Sequence, residues 1–367
     1  MRAKLISLLL TSAVLAGCQS AGVNTSYNSN YSDFDRNAIV APSDRANRSL
    51  PAQADDLWQV TRDNLQFAQY FEHPKVVHKI DFYNRYPAHM KKVSKRATPY
   101  YHYVLQEVLK RGYPSEIALV PVVESLYNPH AVSPGKAAGV WQFIPSTATY
   151  LGLDINDWYD GRRDIISSTQ TALDYLARYH KRFDGDWMLA LAAYNAGGGT
   201  VSSAIRRNKK AGKPTDYFSL DLPQETREYV PRILAIAALV DAPQKYAIDL
   251  PTIPNEPFFK VVDSGGQIAL DKVADMSGVS SEVLRQLNPG FKRQVTAPTG
   301  PHRLLVPIAR APQLTLALGK LDKSERLNWN HYTVKSGDSL SVIAQRFGTT
   351  SKMIRQSNNM SSSKIRI

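Results

Sequence analysis

The stretch "LVPVVESLYNPHAVSPGKAAGVWQFIPSTA", residues 119–148, holds the side chains best suited to chemistry. An apolar run, Leu119, Val120, Val122 and Val123, leads to one carboxylate, Glu124. A segment broken by Pro, Gly and Ser follows, then the cluster Trp141-Gln142-Phe143. A carboxyl among apolar neighbours has its charged form disfavoured, so its proton affinity rises toward neutral pH. An acid of that kind suits protonation of the leaving oxygen in glycoside cleavage. The same pattern also describes a solvated residue at a helix end. These residues alone leave both readings open.

Most glycosidases need a second carboxylate as nucleophile or base. Asp154, Asp157, Asp160 and Asp164 follow in "GLDINDWYDGRRD", which reads as a polar turn with capping acids. The histidines 73, 78, 102, 130 and 180 are scattered, without HExxH or paired Cys/His spacing. No metal and no cofactor are expected.

The elements that must hold Glu124 are helical. In "DDLWQVTRDNLQFAQYF", Leu57, Val60, Asn64, Phe67 and Phe71 lie near helical spacing, which predicts one amphipathic helix. "TPYYHYVLQEVLKRGYP" places Tyr101, Val104, Leu105, Val108 and Leu109 on one face, with Gly112 and Pro114 as its stop. In "SEIALVPVVES", Ser115 is expected to cap the next helix and Pro121 to bend or break it before Glu124. "PSTATYLGL", "SSTQTALDYLARYHKRF", "DWMLALAAYNAG" and "ETREYVPRILAIAALV" all read as helices. The run 233–240 is too short for a membrane span and reads as core. "AGGG" reads as a helix stop; it lacks the Lys-Ser/Thr pair of a phosphate loop.

Past residue 251 the order becomes strand, helix, helix, strand, and it repeats near the end of the chain. Lys260-Val261-Val262 aligns with Tyr332-Thr333-Val334, and "SSEVLRQLN" with "TSKMIRQSN".

The chain has 367 residues, 43% apolar and 21% charged, enough for two or three globular domains. A formal net charge of +13 points to an anionic partner. The start, "MRAKLISLLLTSAVLAGCQS", narrows the choice. Arg2 and Lys4 precede an apolar core of signal-peptide length. "LAGC" resembles the bacterial lipobox, which implies that Cys18, the only cysteine, is acylated. Gln19 rather than Asp follows, which by resemblance to known lipoprotein sorting preferences implies the periplasmic face of the outer membrane. Export argues against nucleic acid and favours cell-wall polymer.

Three patches, "ESLYNPHAVSPGKAAGVWQFIPSTA", "AYNAGGGTV" and "ETREYV", resemble the signature segments of the family 1 lytic transglycosylases. These are bacterial enzymes of lysozyme-like fold that cleave peptidoglycan. The likeness covers most of residues 55–240. It implies that Glu124 is the catalytic residue and acts twice. It first protonates the oxygen between N-acetylmuramic acid and N-acetylglucosamine, then takes the C6 hydroxyl proton as a 1,6-anhydro ring closes. By the same resemblance, Ser133 lies near the reacting sugar, Gln142 bonds sugar hydroxyls or acetamides, and Phe143 offers an apolar face. Tyr194 and Asn195 line the cleft, and Tyr229 approaches Glu124. Val140-Trp141 stands where many relatives carry Leu-Met, so sugar contacts there are expected to differ.

"YTVKSGDSLSVIAQRFGTTSKMIRQSN" is similar to LysM, a βααβ module that binds N-acetylglucosamine-containing glycans. Gly337 permits its turn, and Asp338 or Ser339 is expected to cap its first helix, with Gly337, Asp338 and Ser339 as candidate glycan contacts. The chain ends at "KIRI", so this module is expected to be shortened; the earlier copy reads as a divergent LysM-like module or a spacer.

The expected architecture is mainly α: a lysozyme-like helical catalytic domain followed by small βααβ LysM-type modules. Its boundaries are 1–17 signal peptide, 18–54 tether, 55–245 helical domain, 256–309 divergent module, 310–330 linker and 331–367 LysM. Expected partners are peptidoglycan strands and, through Cys18, a membrane; protein partners cannot be named from the sequence. Two rival functions share this layout, a muramidase that uses water and a non-catalytic wall-binding lipoprotein.

Overall fold

In the computed structural model of the chain, residues 54–327, 332–347, 349–358 and 360–367 are described. They fall into two units that divide after Leu321. Cys18 and all but the last residue of the expected tether lie outside the described residues.

Helix α1 is Leu57–Arg62, with Asp56 accepting from the Trp58 amide at 3.1 Å. The longer helix that the apolar spacing predicts does not form. Past Asp63 the amides of Gln66 and Phe67 both donate to Glu116 Oε1 at 2.8 Å. That wholly buried carboxylate supplies the acceptor that a continued helix would have supplied internally. Burial pushes its proton affinity up, and the amide bonds partly offset this. Phe67 and Phe71 still reach the core through a 3-10 turn, Ala68–Tyr70.

Helices α2 (Pro74–Asn84), α3 (Ala88–Ala97) and α4 (Tyr101–Lys110) follow. Tyr101, Val104, Leu105 and Val108 bury the face that their spacing predicts, and Gly112 turns the chain at φ +69°. A 3-10 turn, Ser115–Leu119, then runs into α5 (Val120–Ser125). Two expectations fail here. Ser115 caps nothing: its hydroxyl donates to the Thr61 carbonyl at 2.8 Å. Pro121 does not break the helix that carries Glu124; it sits in the first turn, where its missing amide costs nothing.

Helices α6 (Pro145–Tyr150), α7 (Ile165–Arg182), α8 (Trp187–Ala196), α9 (Gly198–Lys210) and α10 (Gln224–Asp241) complete the helical part. Gly197, at φ +82°, ends α8 and also opens α9, so "AGGG" joins two helices rather than only stopping one. The run 233–240 is buried throughout, and α10 packs against α2, α5 and α8. No helix among the described residues is long and apolar enough to cross a membrane.

Strands β1 (Phe259–Asp263) and β2 (Arg303–Pro307) pair antiparallel, with Val261 opposite Leu305. Between them lie α11 (Leu270–Ser277) and α12 (Ser281–Leu287), the predicted βααβ order. The segment expected as a linker contributes α13 (Ala311–Lys320). Its Leu314 and Leu318 join Val262, Leu304 and Val306 in one apolar cluster. A two-stranded ribbon is marginal alone and gains stability from a covering helix.

This module is no loose spacer. Arg303 Nη2 donates to Asp164 Oδ1 at 2.8 Å and to Ser167 Oγ at 2.7 Å. The Asp160 amide donates to Gly290 O and the Lys292 amide to Trp158 O, both at 2.8 Å.

In the second unit α14 (Leu340–Arg346) and α15 (Ser351–Ser357) pack on each other. The strand expected at 332–334 does not appear: among the described residues of this unit nothing pairs with it. Gly337 turns at φ +85°, and Ser339 caps α14 by accepting from the Val342 amide. Asp338 does not cap; it accepts from the Lys335 amide and the Tyr332 hydroxyl, both at 2.8 Å, and so holds the turn.

Candidate active site

Glu124 lies in the last turn of α5, which stops abruptly because Leu126 and Tyr127 both take left-handed backbone, at φ +53° and +55°. Ser125 Oγ donates to Val140 O at 3.0 Å and ties that end to the following loop. The loop is a small stack of bridges, Val132 to Ala138 and Ala138 to Phe143. Gly139 fits where no side chain could: a Cβ would stand 1.8 Å from the Arg162 carbonyl oxygen, at φ +82°. Gly139→Ala is therefore expected to cost about 2 kcal/mol or more and to lower activity further by displacing the loop. Denaturant unfolding beside a rate assay checks it; an unchanged midpoint would refute the packing.

The Tyr229 hydroxyl donates to Glu124 Oε1 at 2.5 Å. Tyr229 is buried on α10, and the packing of α5 against α10 brings the two together across 105 positions of sequence. Burial raises the Glu124 carboxyl to about 7, against a smaller lowering by the Tyr229 bond and a further rise from Glu225. Glu124 nevertheless keeps partial exposure, so it meets solvent on one side. Burial, then the Glu124 charge, holds Tyr229 protonated far above neutral pH. It therefore keeps its proton and donates it in the bond to Glu124.

The other expected residues divide. Tyr194 is near Glu124, which adds to the rise in its own proton affinity after burial, and its hydroxyl donates to Trp141 O at 2.7 Å. Phe143 is 3% exposed and meets Tyr194 edge-on, so it is core rather than an open apolar face. Gln142 takes left-handed backbone at φ +50°. Its amide NH₂ donates to Gly139 O at 2.7 Å and Ala131 O at 3.3 Å, which fixes the loop and leaves its Oε1 as acceptor. Asn195 Oδ1 accepts from Thr226 Oγ1 at 2.8 Å and joins α8 to α10. Ser133 Oγ accepts from the Ala137 amide at 3.0 Å and shapes the loop tip.

Two contributors are not evident from the sequence. Glu225 lies one turn before Tyr229 on α10, and its charge acts on Glu124; the i, i+4 spacing in "ETREYV" is the one signal that points to it. Arg162 grips Asp160 through two bonds, at 2.9 and 2.7 Å, and donates to Lys136 O at 2.7 Å and Phe143 O at 3.3 Å. Asp164 caps α7, as its setting predicts, by accepting from the Ser167 amide. Asp160 and Asp164 pair with Arg162 and Arg303 rather than with Glu124. Among the described residues no group of three or more His, Cys, Asp or Glu is gathered as a metal site.

A mainly helical domain that keeps one proton-holding carboxyl beside a tyrosine in an open loop-walled site is followed here by a LysM-like module. Residues 106–216 match the Transglycosylase SLT domain, 258–323 the LysM-like domain of lytic transglycosylase MltD, and 332–367 the LysM domain. The chain is 38% identical over 380 residues to membrane-bound lytic murein transglycosylase D of Escherichia coli K12, covering all of this chain and 83% of that protein. It is 34% identical over 122 residues to the soluble lytic murein transglycosylase of Salmonella typhimurium, covering 31% and 18%. A crystal structure of a lytic transglycosylase from Pseudomonas aeruginosa is 25% identical over 42% of this chain and 25% of that one, with a TM-score of 0.32. The chain belongs to the family of the membrane-bound lytic murein transglycosylase D.

Proposed function

We propose that the protein is a peptidoglycan lytic transglycosylase in which Glu124 serves as acid and then as base. The observation that carries this reading is a carboxyl raised to about 7 and held by Tyr229 at 2.5 Å. Near neutral pH such a group is divided between its two forms, which suits both duties. In the first step Glu124 gives its proton to the oxygen between N-acetylmuramic acid and N-acetylglucosamine. That bond breaks with its electron pair leaving on the departing sugar oxygen. The C6 hydroxyl oxygen then bonds to C1, and its proton passes to the Glu124 carboxylate, so the acid is restored and no water enters. Gln142 Oε1, Tyr194 and Asn195 shape the wall that orients the sugar, with Ser133 and Phe143 behind it. The LysM modules would hold glycan, with the turn at 337–339 as one contact. Acylation at Cys18 would place the enzyme on the periplasmic face of the outer membrane, in keeping with a relative named membrane-bound.

Glu225 gives one alternative a specific footing, since a second carboxylate acting on Glu124 is what a hydrolytic muramidase would use. Mass spectrometry of products from purified sacculi separates the two. Products one water lighter than hydrolysed muropeptides, missing with Glu124→Gln, support the transglycosylase; hydrated reducing ends would sink it.

Tyr229→Phe gives a second test, through pH. The phenol bond stabilises the charged carboxylate, so its loss raises the Glu124 pKa further. The proton-donating form then persists to higher pH. The alkaline limb of the rate profile is expected to move up by about one unit, at a lower maximum. A limb that stayed in place or moved down would contradict the assigned bond.

A further inference from the structure

We propose that a cavity at the seam of the helical domain and the strand–helix module binds the peptide portion of the substrate, a short peptide carrying carboxylates and a free amine. This rests on the peptidoglycan reading above and adds a second recognition site to it. The cavity, about 400 Å³, is lined by Arg96, Tyr100, Asn128, His130, Glu282 and Arg285 among others.

Arg96 lies in the last turn of α3 and Arg285 in the last turn of α12, so two separate elements bring a guanidinium to one space. Several other arginines of this unit are engaged, Arg111 with Glu107, Arg162 with Asp160, Arg232 with Glu228 and Arg303 with Asp164. Among the described residues no hydrogen bond or ion pair joins the side chains of Arg96, Arg285 or Glu282 to any group. A guanidinium fork matches a carboxylate through two parallel bonds, and two unpaired arginines in the lining of one cavity favour an anion there. Glu282, in the first turn of α12, supplies the complementary site for an ammonium. That mixed set fits a zwitterionic peptide. A neutral sugar lacks the paired charges that would use both guanidinia and the carboxylate, and a polyphosphate would be repelled by Glu282.

The walls are held in place. The Tyr100 hydroxyl donates to Gln286 O at 2.6 Å across the seam, and Tyr100 is 1% exposed. Burial, aided by Arg163, lowers the proton affinity of His130, so the positive charge of the lining comes from the two arginines. The location also suits the substrate. The wall from Tyr127 to His130 follows Glu124 directly in the chain. Four residues of chain span at most roughly 14 Å, so Asn128 lies within that distance of Glu124, and a four-residue peptide has the same reach. The cavity wall therefore begins within the reach of a peptide branch from a glycan at Glu124.

The test is calorimetric titration of the full chain with the tripeptide L-alanyl-γ-D-glutamyl-diaminopimelate, free and with its carboxylates amidated. Saturable binding is expected, weakened about tenfold or more in Arg96→Gln/Arg285→Gln and equally by amidation. Equal binding of free and amidated peptide, unchanged binding in the double variant, or no binding to the unmodified chain would overturn the proposal. Should the double variant melt early, the comparison of free and amidated peptide on the unmodified chain decides alone. Peptide binding needs no turnover. A Glu124→Gln chain that binds peptide, beside an unmodified chain that releases only hydrated products, would reject the transglycosylase reading and leave this site standing.

Discussion

Glu124→Gln is expected to lower anhydro-product release by about 10³-fold or more and, at the same time, to stabilise the protein above pH 7. The rate follows from the double duty. General acid–base help contributes roughly 10² to 10⁴, and one carboxyl supplies it to both proton transfers. The stability follows from linkage. The folded carboxyl holds its proton up to about pH 7, against 4.5 for an unperturbed glutamate. The favourable contribution of the protonated form is complete below about pH 4.5 and is lost as pH rises through about 7. Above that, folding retains a charge in a place that disfavours it, at a cost of about 3 kcal/mol. Glutamine carries no such charge and can still accept from Tyr229. The variant's Tm should therefore exceed that of the parent by several degrees at pH 8 and match it near pH 4.5. Equal Tm differences at both pH values would mean that Glu124 is an ordinary solvated carboxylate.

The helices that frame Glu124 were legible because their signals are local. The face formed by Tyr101, Val104, Leu105 and Val108 is written in consecutive turns, and the buried run of α10 is written in its own apolarity. What failed was settled by partners far away in the chain. Residues 57–71 carry helical spacing throughout, yet Glu116 takes the amides of Gln66 and Phe67 from 50 and 49 positions away. Pro121 looked like a breaker because the start of α5 is set by the preceding 3-10 turn. Tyr229 was legible only through resemblance to a family; nothing local in "ETREYV" says that its hydroxyl meets Glu124. Gln142 shows a subtler gap. Its amide side chain was expected to bond sugar, and its donors instead hold the loop's own carbonyls. The docking of the β1–β2 module rests on Arg303, which is 139 positions from Asp164.

Arg162→Met is expected to be the most damaging change outside the reacting groups. Arg162 and Asp160 are 9% and 5% exposed, and the guanidinium has three duties. It pairs both carboxylate oxygens of Asp160, donates to Lys136 O, and donates to Phe143 O at the far end of the loop that carries Gln142. Methionine fills much of the volume and performs none of these. A buried carboxylate loses its closest cation and keeps only the Arg162 amide and the more distant Arg163, which costs about 3 kcal/mol, and Lys136 O loses its donor while Phe143 O keeps the Ala138 amide. Asp160 also hands its amide to Gly290, so the disturbance reaches the seam with the β1–β2 module. The urea midpoint should fall sharply, and the fraction that stays folded should show both a raised KM and a lowered kcat, because the loop orients sugar as well as supporting α5 through Ser125. Adding Asp160→Asn removes the under-paired charge and is expected to recover about half of the lost stability but little activity, since Lys136 O stays without a donor and the loop without the Arg162 tie. If the second change restored activity along with stability, the pair would be a structural clamp with no hold on the loop. If Arg162→Met alone left the midpoint unchanged, the buried pair would not contribute to the fold.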